Sequence, residues 1–325
     1  ESLFEDAAPS FESDTRIEDV AEELRHYKKH FAGKIVFCNC DDPTWSAFWR
    51  YFHLNFAELG LKKLISTHYD RTEPTYKMEY EGGDDNNVEV GLKTPLEGNG
   101  DFRNKECLDL LDESDIVVTN PPFSLARAYV QCLREHSKQF VIIGDLNWIT
   151  YKEIFPMLKD NEIWLGYSSV KEFTQPDGTI KKFGNKLWYT NLDIQKRHEK
   201  LILWQRYYDD NGNPLPDAEE RYPHYDNYAA INVDKVADIP ADYKGVMGVP
   251  ITFLDKHNPE QFEIVELSRY LNHEGMSKEF VETYYKQGGK GQIKEGHPDL
   301  CYYDDKGKAI VPYMRVLIRK VIDYV

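Results

Sequence analysis

Residues 115–124 read DIVVTNPPFS, an apolar strand that runs into an asparagine, two prolines and an aromatic ring. Neither proline has a backbone N–H, both constrain φ, and each pushes the preceding residue away from the α region. The strand therefore stops at Asn120. Beyond it the chain forms a rigid turn that presents one amide, two free carbonyls and one ring in a fixed arrangement, directly ahead of a helical pattern over about 124–136.

The same unit recurs along the chain. KIVFCNC (34–40) reads as a buried strand left through Asp41-Asp42-Pro43. Trp45, Phe48, Trp49, Phe52, Phe56 and Leu59 then mark one face of a helix that ends at Gly60. KKLISTHY (62–69), QFVIIGDL (139–146) and EIWLGY (162–167) are further strands, while YKMEYEG and NNVEVGL around GGDDNN form an inserted hairpin. Ahead of the first strand, Ile17, Val20, Leu24, Tyr27 and Phe31 recur at helical steps. Past residue 170 the turn signal Pro176-Asp177-Gly178 predicts antiparallel strands, and 209–228 reads as a long loop. The expected fold is α/β: a mostly parallel, seven-stranded sheet with helices on both faces over residues 15–200. An acidic arm (1–14) precedes it, and a mixed C-terminal region (201–325) comes after it.

With 325 residues, 41% hydrophobic and 14% aromatic, the chain can bury a large core. No apolar run approaches the length of a membrane span, and the acidic start does not resemble a secretory signal. Five cysteines (Cys38, Cys40, Cys107, Cys132, Cys301) show no disulfide spacing, which fits reduced thiols in a cytoplasm. Cys38 and Cys40 lack two further ligands to complete a zinc set, so no metal is expected. The net charge of −16 opposes binding to a polyanion, but half of it lies in residues 1–23, with nine acids against one arginine. Residues 178–200, by contrast, carry six Lys/Arg and two acids.

Ligands of open α/β sheets collect at the carboxyl ends of the strands. Here those ends place Asp41, Asp42, Asp70, Asp101, Asn120 and Phe123 along one rim. An asparagine oxygen and an adjacent proline carbonyl are two acceptors close together, and a ring beside them is a stacking surface for a flat base. That set suits an exocyclic amine on a planar heterocycle. Two accepted N–H bonds would stabilise charge developing on the nitrogen and aim its lone pair at a sulfonium methyl.

The pattern (D/N/S)-P-P-(Y/F) after a parallel strand resembles the signature of S-adenosylmethionine-dependent amino-methyltransferases, and its neighbours sharpen the likeness. VFCNCDDP, LGLKKLIS, GDFR, LLDESDIVVTNPPFSLAR, ITYKEIF, IWLG, LWYTNLD, YDNYAAINV and GVMGVPITFLDKHNPEQFEI stand in the order of the EcoRI-type adenine-specific DNA methyltransferases, and PYMRVLIRK resembles their ending. The resemblance implies a Rossmann-like methyltransferase fold and N6 methylation of a flipped-out adenine in double-stranded DNA, with S-adenosylhomocysteine as co-product and no metal. It nominates Asn120, Pro121, Pro122 and Phe123 as catalytic. Asn39, Cys40, Asp41, Asp70, Asp101 and Phe102 become cofactor-binding candidates. It further implies a monomer and a cognate restriction endonuclease as a possible partner.

The chain departs from that family in two places. FESDT (11–15) stands where DEFYT is usual, and the acidic arm replaces a Lys-rich lead-in. For DNA contact the basic segments are KKFGNK, with Lys181, Lys182 and Lys186, and YKQGGKGQIK, with Lys286, Lys290 and Lys294 as a mobile phosphate-binding loop. Alternative readings are a methyltransferase acting on RNA or protein glutamine, and a catalytically impaired DNA- or cofactor-binding homologue. A nicotinamide-dependent oxidoreductase has no GxGxxG to support it.

Overall fold

The computed structural model describes residues 14–174 and 179–321, apart from the side chains at 14, 174, 181, 183 and 185. The residues ahead of Asp14, including most of the FESDT segment and the arm, lie outside the described residues, as does the Pro176-Asp177-Gly178 turn.

The chain packs as two units. The first runs to Ile194, less Lys159–Asn161, and contains every segment of the candidate site. Its strands are β1 (Asp14–Thr15), β2 (Ile35–Cys38), β3 (Lys63–Thr67), β4 (Tyr76–Tyr80) and β5 (Leu92–Pro95). After these come β6 (Ile116–Thr119), β7 (Gln139–Asp145), β8 (Trp164–Thr174) and β9 (Ile180–Thr190). Its helices are α1 (Ile17–Leu24), α2 (Lys28–Phe31), α3 (Ala47–Leu54), α4 (Phe56–Leu59), α5 (Lys105–Glu113), α6 (Ala126–Glu135) and the start of α7 (Phe155–Lys159).

Among the described residues the sheet has nine strands in the order β1-β8-β9-β7-β6-β2-β3-β4-β5. This corrects the expected seven, mostly parallel. Only the pairs β2–β3, β2–β6 and β6–β7 are parallel, and the remaining pairs are antiparallel. The physical reason is the connections. Parallel neighbours need a crossover long enough to hold a helix, as β2–α3–β3 and β6–α6–β7 do, whereas β3, β4 and β5 follow one another through connections without a helix. The result is an α/β fold around one large mixed sheet.

The central strands are buried along their whole length, as continuous V/I/L runs require. On one face Val36, Leu64, Val118, Val141 and Ile143 pack with Val20, Leu24 and Phe31 and with the α3 aromatics Phe48, Trp49 and Phe52. Of the stripe read from the sequence, Phe48, Trp49, Phe52, Phe56 and Leu59 are therefore core, divided between α3 and α4, whereas Trp45 lies ahead of α3 and is 44% exposed. The single helix expected near residues 17–31 is two. Glu23, fully buried at the end of α1, accepts hydrogen bonds from the Tyr167 N–H (2.8 Å), the Ser168 N–H (2.7 Å), the Ser168 hydroxyl (2.7 Å) and the Tyr27 hydroxyl (2.8 Å). The buried carboxylate is thus satisfied by four donors, and it ties α1 to β8.

The second unit comprises Lys159–Asn161 and the chain from Gln195 onward. It holds α8 (Ala218–Arg221), β10 (Ile231–Asn232), β11 (Met247–Pro250), β12 (Phe262–Leu267), α9 (Lys278–Lys286), β13 (Tyr302–Tyr303), β14 (Ala309–Ile310) and β15 (Arg315–Lys320). A sheet β10-β11-β15-β12 and the pair β13-β14 form its frame. No helix among the described residues is long and apolar enough to cross a membrane.

Substituting Glu23→Gln turns one accepting oxygen into a donor that faces backbone N–H groups. The expected loss is about 1.5–3 kcal/mol, read as a lower urea midpoint with an unchanged denaturant slope.

Candidate active site

Three strand exits and one turn converge at the carboxyl ends of β2, β3 and β6. Behind β2 the chain enters a loop in which Asn39 and Asp41 are buried and Cys40 takes a left-handed φ of 61°. The Thr67 hydroxyl accepts from the Cys40 N–H (3.3 Å) and donates to Asn39 Oδ1 (3.2 Å). The Ser66 hydroxyl donates to the Asp41 carbonyl. Asp41 receives the Thr119 hydroxyl on Oδ2 (2.6 Å) and the Ser46 hydroxyl on Oδ1 (3.2 Å). Ser46 in turn caps α3 by accepting from the Phe48 and Trp49 N–H groups, both at 3.2 Å. Asp41 thus struts the β2 exit against the β6 exit and the start of α3. Asp42 accepts from the Thr44 N–H (2.9 Å) and the Tyr76 hydroxyl (2.7 Å).

The GDFR turn lies against the β3 exit. Gly100 has φ of 76°, and a Cβ there would collide with the His68 carbonyl, so the close approach requires glycine. Asp101 accepts from the Arg103 N–H (2.9 Å) and from its guanidinium at Nε (2.9 Å) and Nη2 (2.6 Å). Burial pushes the Asp101 carboxyl up, but these Arg103 bonds outweigh it and hold the group below the usual carboxylate range. The residue ahead of α5 is Asn104, so Asp101 is not that helix's cap. Phe102 is buried and meets the Tyr129 ring edge-on at 4.9 Å. Asp70 Oδ1 accepts from the Thr72 N–H (2.8 Å), the Glu73 N–H (3.0 Å) and the Thr72 hydroxyl (3.1 Å). The two backbone bonds lead in lowering its pKa.

The NPPF corner closes the β6 exit. Of its two proline carbonyls, that of Pro122 accepts from the Leu125 N–H (2.9 Å) in the 3-10 turn that leads into α6. Asn120 is 5% exposed, and its Oδ1 is out of solvent contact with no hydrogen-bond partner among the described residues. His68 Nδ1 and the Tyr129 hydroxyl, also buried, equally have no partner among the described residues.

Phe123 is half-buried, and its ring meets Trp148 at 6.2 Å in a T-shaped contact. The Lys186 ammonium stands 3.7 Å from the Phe123 ring centroid and 2.9 Å from Asp145 Oδ2. With its side chain only 8% exposed, Lys186 is not the surface phosphate contact that the sequence suggested. Alternation along β9 turns it inward beside the corner, where a carboxylate and an aromatic face replace water. Lys182 does stand out, 3.6 Å from Glu172, and the Lys181 side chain lies outside the described residues.

The glycine-rich lysine loop is not loose. Gly291 N–H donates to the Tyr284 hydroxyl (2.9 Å), while the Tyr285 hydroxyl donates to the Ile293 carbonyl (2.8 Å) and accepts from its N–H (3.1 Å). A Cβ on Gly289 would collide with the Tyr284 ring. The backbone wraps two tyrosines, and Lys286, Lys290 and Lys294 point to solvent.

Sequence reasoning missed His68, Tyr129, Asp145 and Trp148. Tyr129 was legible as a buried helix position, and GDL as a strand exit, but no residue pattern marks which hydroxyl will lack a partner.

Gly144 lies beneath Trp148, and a Cβ there would strike the Trp148 and Tyr189 rings. Gly144→Ala should therefore cost about 1–3 kcal/mol, read as a lower midpoint in urea denaturation.

The family model described as "Adenine-specific methyltransferase EcoRI" matches residues 7–321. Type II methyltransferase M.EcoRI of Escherichia coli is 44% identical over 289 residues, covering 80% of this chain and 86% of that protein. Type II methyltransferase M.MpnI of Mycoplasma pneumoniae is 38% identical and M.MgeORF184P of Mycoplasma genitalium 36%, each over 271 residues, or 78% of this chain and 81% of the relative. No solved structure matches the chain. The chain belongs to the EcoRI-type family of adenine-specific methyltransferases.

Proposed function

We propose that this chain, a site-specific DNA adenine methyltransferase of the type II class, acts on the N6 amine of an adenine flipped out of duplex DNA, within a Rossmann-like methyltransferase unit. The observation that carries the reading is the unpaired Asn120 Oδ1. A buried carbonyl without a donor costs about 1–3 kcal/mol, and an entering amine at the NPPF corner would relieve that cost. The Pro121 carbonyl, next in the chain, accepts the second amine hydrogen, so the nitrogen is held by both N–H bonds with its lone pair free. Phe123 fixes the plane of the base by stacking. The amine is inaccessible within a base pair, which is the physical motive for flipping.

S-adenosylmethionine, when bound, supplies a methyl group on a positively charged sulfur. Donors and acceptors of this chain fit such a polar ligand: the loop Asn39-Cys40-Asp41, the unpaired His68 Nδ1, and Asp101 and Asp70 at neighbouring exits. Asp41 acts by fixing the loop through Thr119 and Ser46.

The region 201–325 is proposed to read the DNA target, with Lys286, Lys290 and Lys294 meeting phosphates. A partner endonuclease of matching specificity suits the type II class of the relatives.

Two experiments test this. In the first, N6-methyladenine is mapped in DNA from cells expressing the chain beside an Asn120→Ala control. One modified motif that vanishes in the control is expected, and methylation in RNA or protein instead would overturn the acceptor. Phe123→Ala should keep cofactor affinity and lose at least tenfold in single-turnover rate. In the second, replacing Lys286, Lys290 and Lys294 with alanine should weaken binding to all duplexes alike. It should also reduce the slope of log K against log salt by about 2–3, since each phosphate left unneutralised removes close to 0.9.

A further inference from the structure

Tyr129 stands on the first turn of α6, nine positions past the corner asparagine. Its side chain is 1% exposed, and its hydroxyl has no hydrogen-bond partner among the described residues. The ring lies edge-on to Phe102, the inner residue of the GDFR turn. Burial pushes the phenol far above its ordinary range, and the ionisable groups that act on it next are Cys40, Cys132, Asp41 and Cys38. Three of those four belong to the β2 exit. The hydroxyl therefore lies where the β2 loop meets the GDFR turn, the two segments nominated for the cofactor.

A buried hydroxyl is nearly always paired, and leaving one unpaired is unfavourable. Phenylalanine would make the same ring contact with Phe102 and avoid the penalty. The unpaired O–H is explained if its partner arrives with a ligand. Neutral acceptors dominate the adenosine part of the cofactor, whereas its amino-acid end carries full charges that call for ionic partners.

We propose that Tyr129 is a cofactor-binding residue whose hydroxyl donates a hydrogen bond to the adenosine part of S-adenosylmethionine and S-adenosylhomocysteine. The inference rests on the reading of these strand exits as the cofactor site. It gives the residue opposite effects in the free and loaded protein. Removing the oxygen relieves the ligand-free fold and weakens the complex.

The test is Tyr129→Phe in the full chain, with calorimetric titration of S-adenosylmethionine, S-adenosylhomocysteine and 5′-methylthioadenosine, which lacks the amino-acid end. All three dissociation constants should rise about tenfold, the worth of roughly one net hydrogen bond. The thermal midpoint of the ligand-free variant should equal or exceed that of the parent. At saturating cofactor the turnover number should be unchanged, with the loss confined to KM for S-adenosylmethionine. Parent-like affinity for all three ligands would overturn the proposal and assign the hydroxyl to a buried water. A loss for S-adenosylhomocysteine but not for methylthioadenosine would overturn the adenosine assignment. If the parent chain itself binds none of them, the cofactor reading fails and this inference with it, an outcome distinct from failure of Tyr129 alone.

Discussion

The end of β6 is the point on which the site depends. A strand can deliver an asparagine to a fixed place only if it stops there, and two successive prolines stop it because neither can donate to a ladder or continue a helix from the same φ. The stop is then braced from the side. The Thr119 hydroxyl, last in the strand, meets Asp41 and the Asn39 carbonyl in the neighbouring exit. Through Ser46 the same carboxylate reaches the cap of α3. One acid thereby sets the spacing between two strand exits.

Beside this brace the site holds a constraint of a different kind. The Lys186 ammonium stands 3.7 Å from the Phe123 centroid, over one face of the ring. Ammonium and base cannot share that face. The pair Lys186–Asp145 fixes the orientation of Phe123, with Trp148 seated against the ring and Gly144 leaving room for Trp148. The net charge of −16 does not conflict with a polyanionic substrate once its distribution is considered. Half of the excess lies in the first 23 residues, and the Lys286, Lys290 and Lys294 ammonium groups are carried outward by a backbone wrapped on Tyr284 and Tyr285.

Much of the first unit was legible because its signals are local. Proline chemistry stopped β6, period-2 and continuous apolar runs marked β2, β3, β6 and β7, and the 3.6-residue recurrence of aromatics marked α3. Strand direction at the sheet edges was not legible in the same way. EIWLGY reads alike in a parallel or an antiparallel strand, since burial on both faces leaves no alternation to betray direction. The split of the first helical pattern into α1 and α2 was equally hidden, because Glu23 is recruited by the backbone of Tyr167 and Ser168, far away in the chain.

For the site, sequence alone determined the chemistry available: an amide, a proline carbonyl and a ring at one strand end, with acids at the neighbouring ends. Residue identity and short-range backbone restriction suffice for that. Tertiary structure decided which of those groups are already engaged. Asp41 became a strut, Asp70 the anchor of its own turn, Phe102 core and Lys186 the buried partner of Asp145, while Asn120 Oδ1 and the Tyr129 hydroxyl have no partner among the described residues. The physical reason is that a hydrogen bond is a property of two groups, and the second group comes from a segment whose arrival no local pattern records.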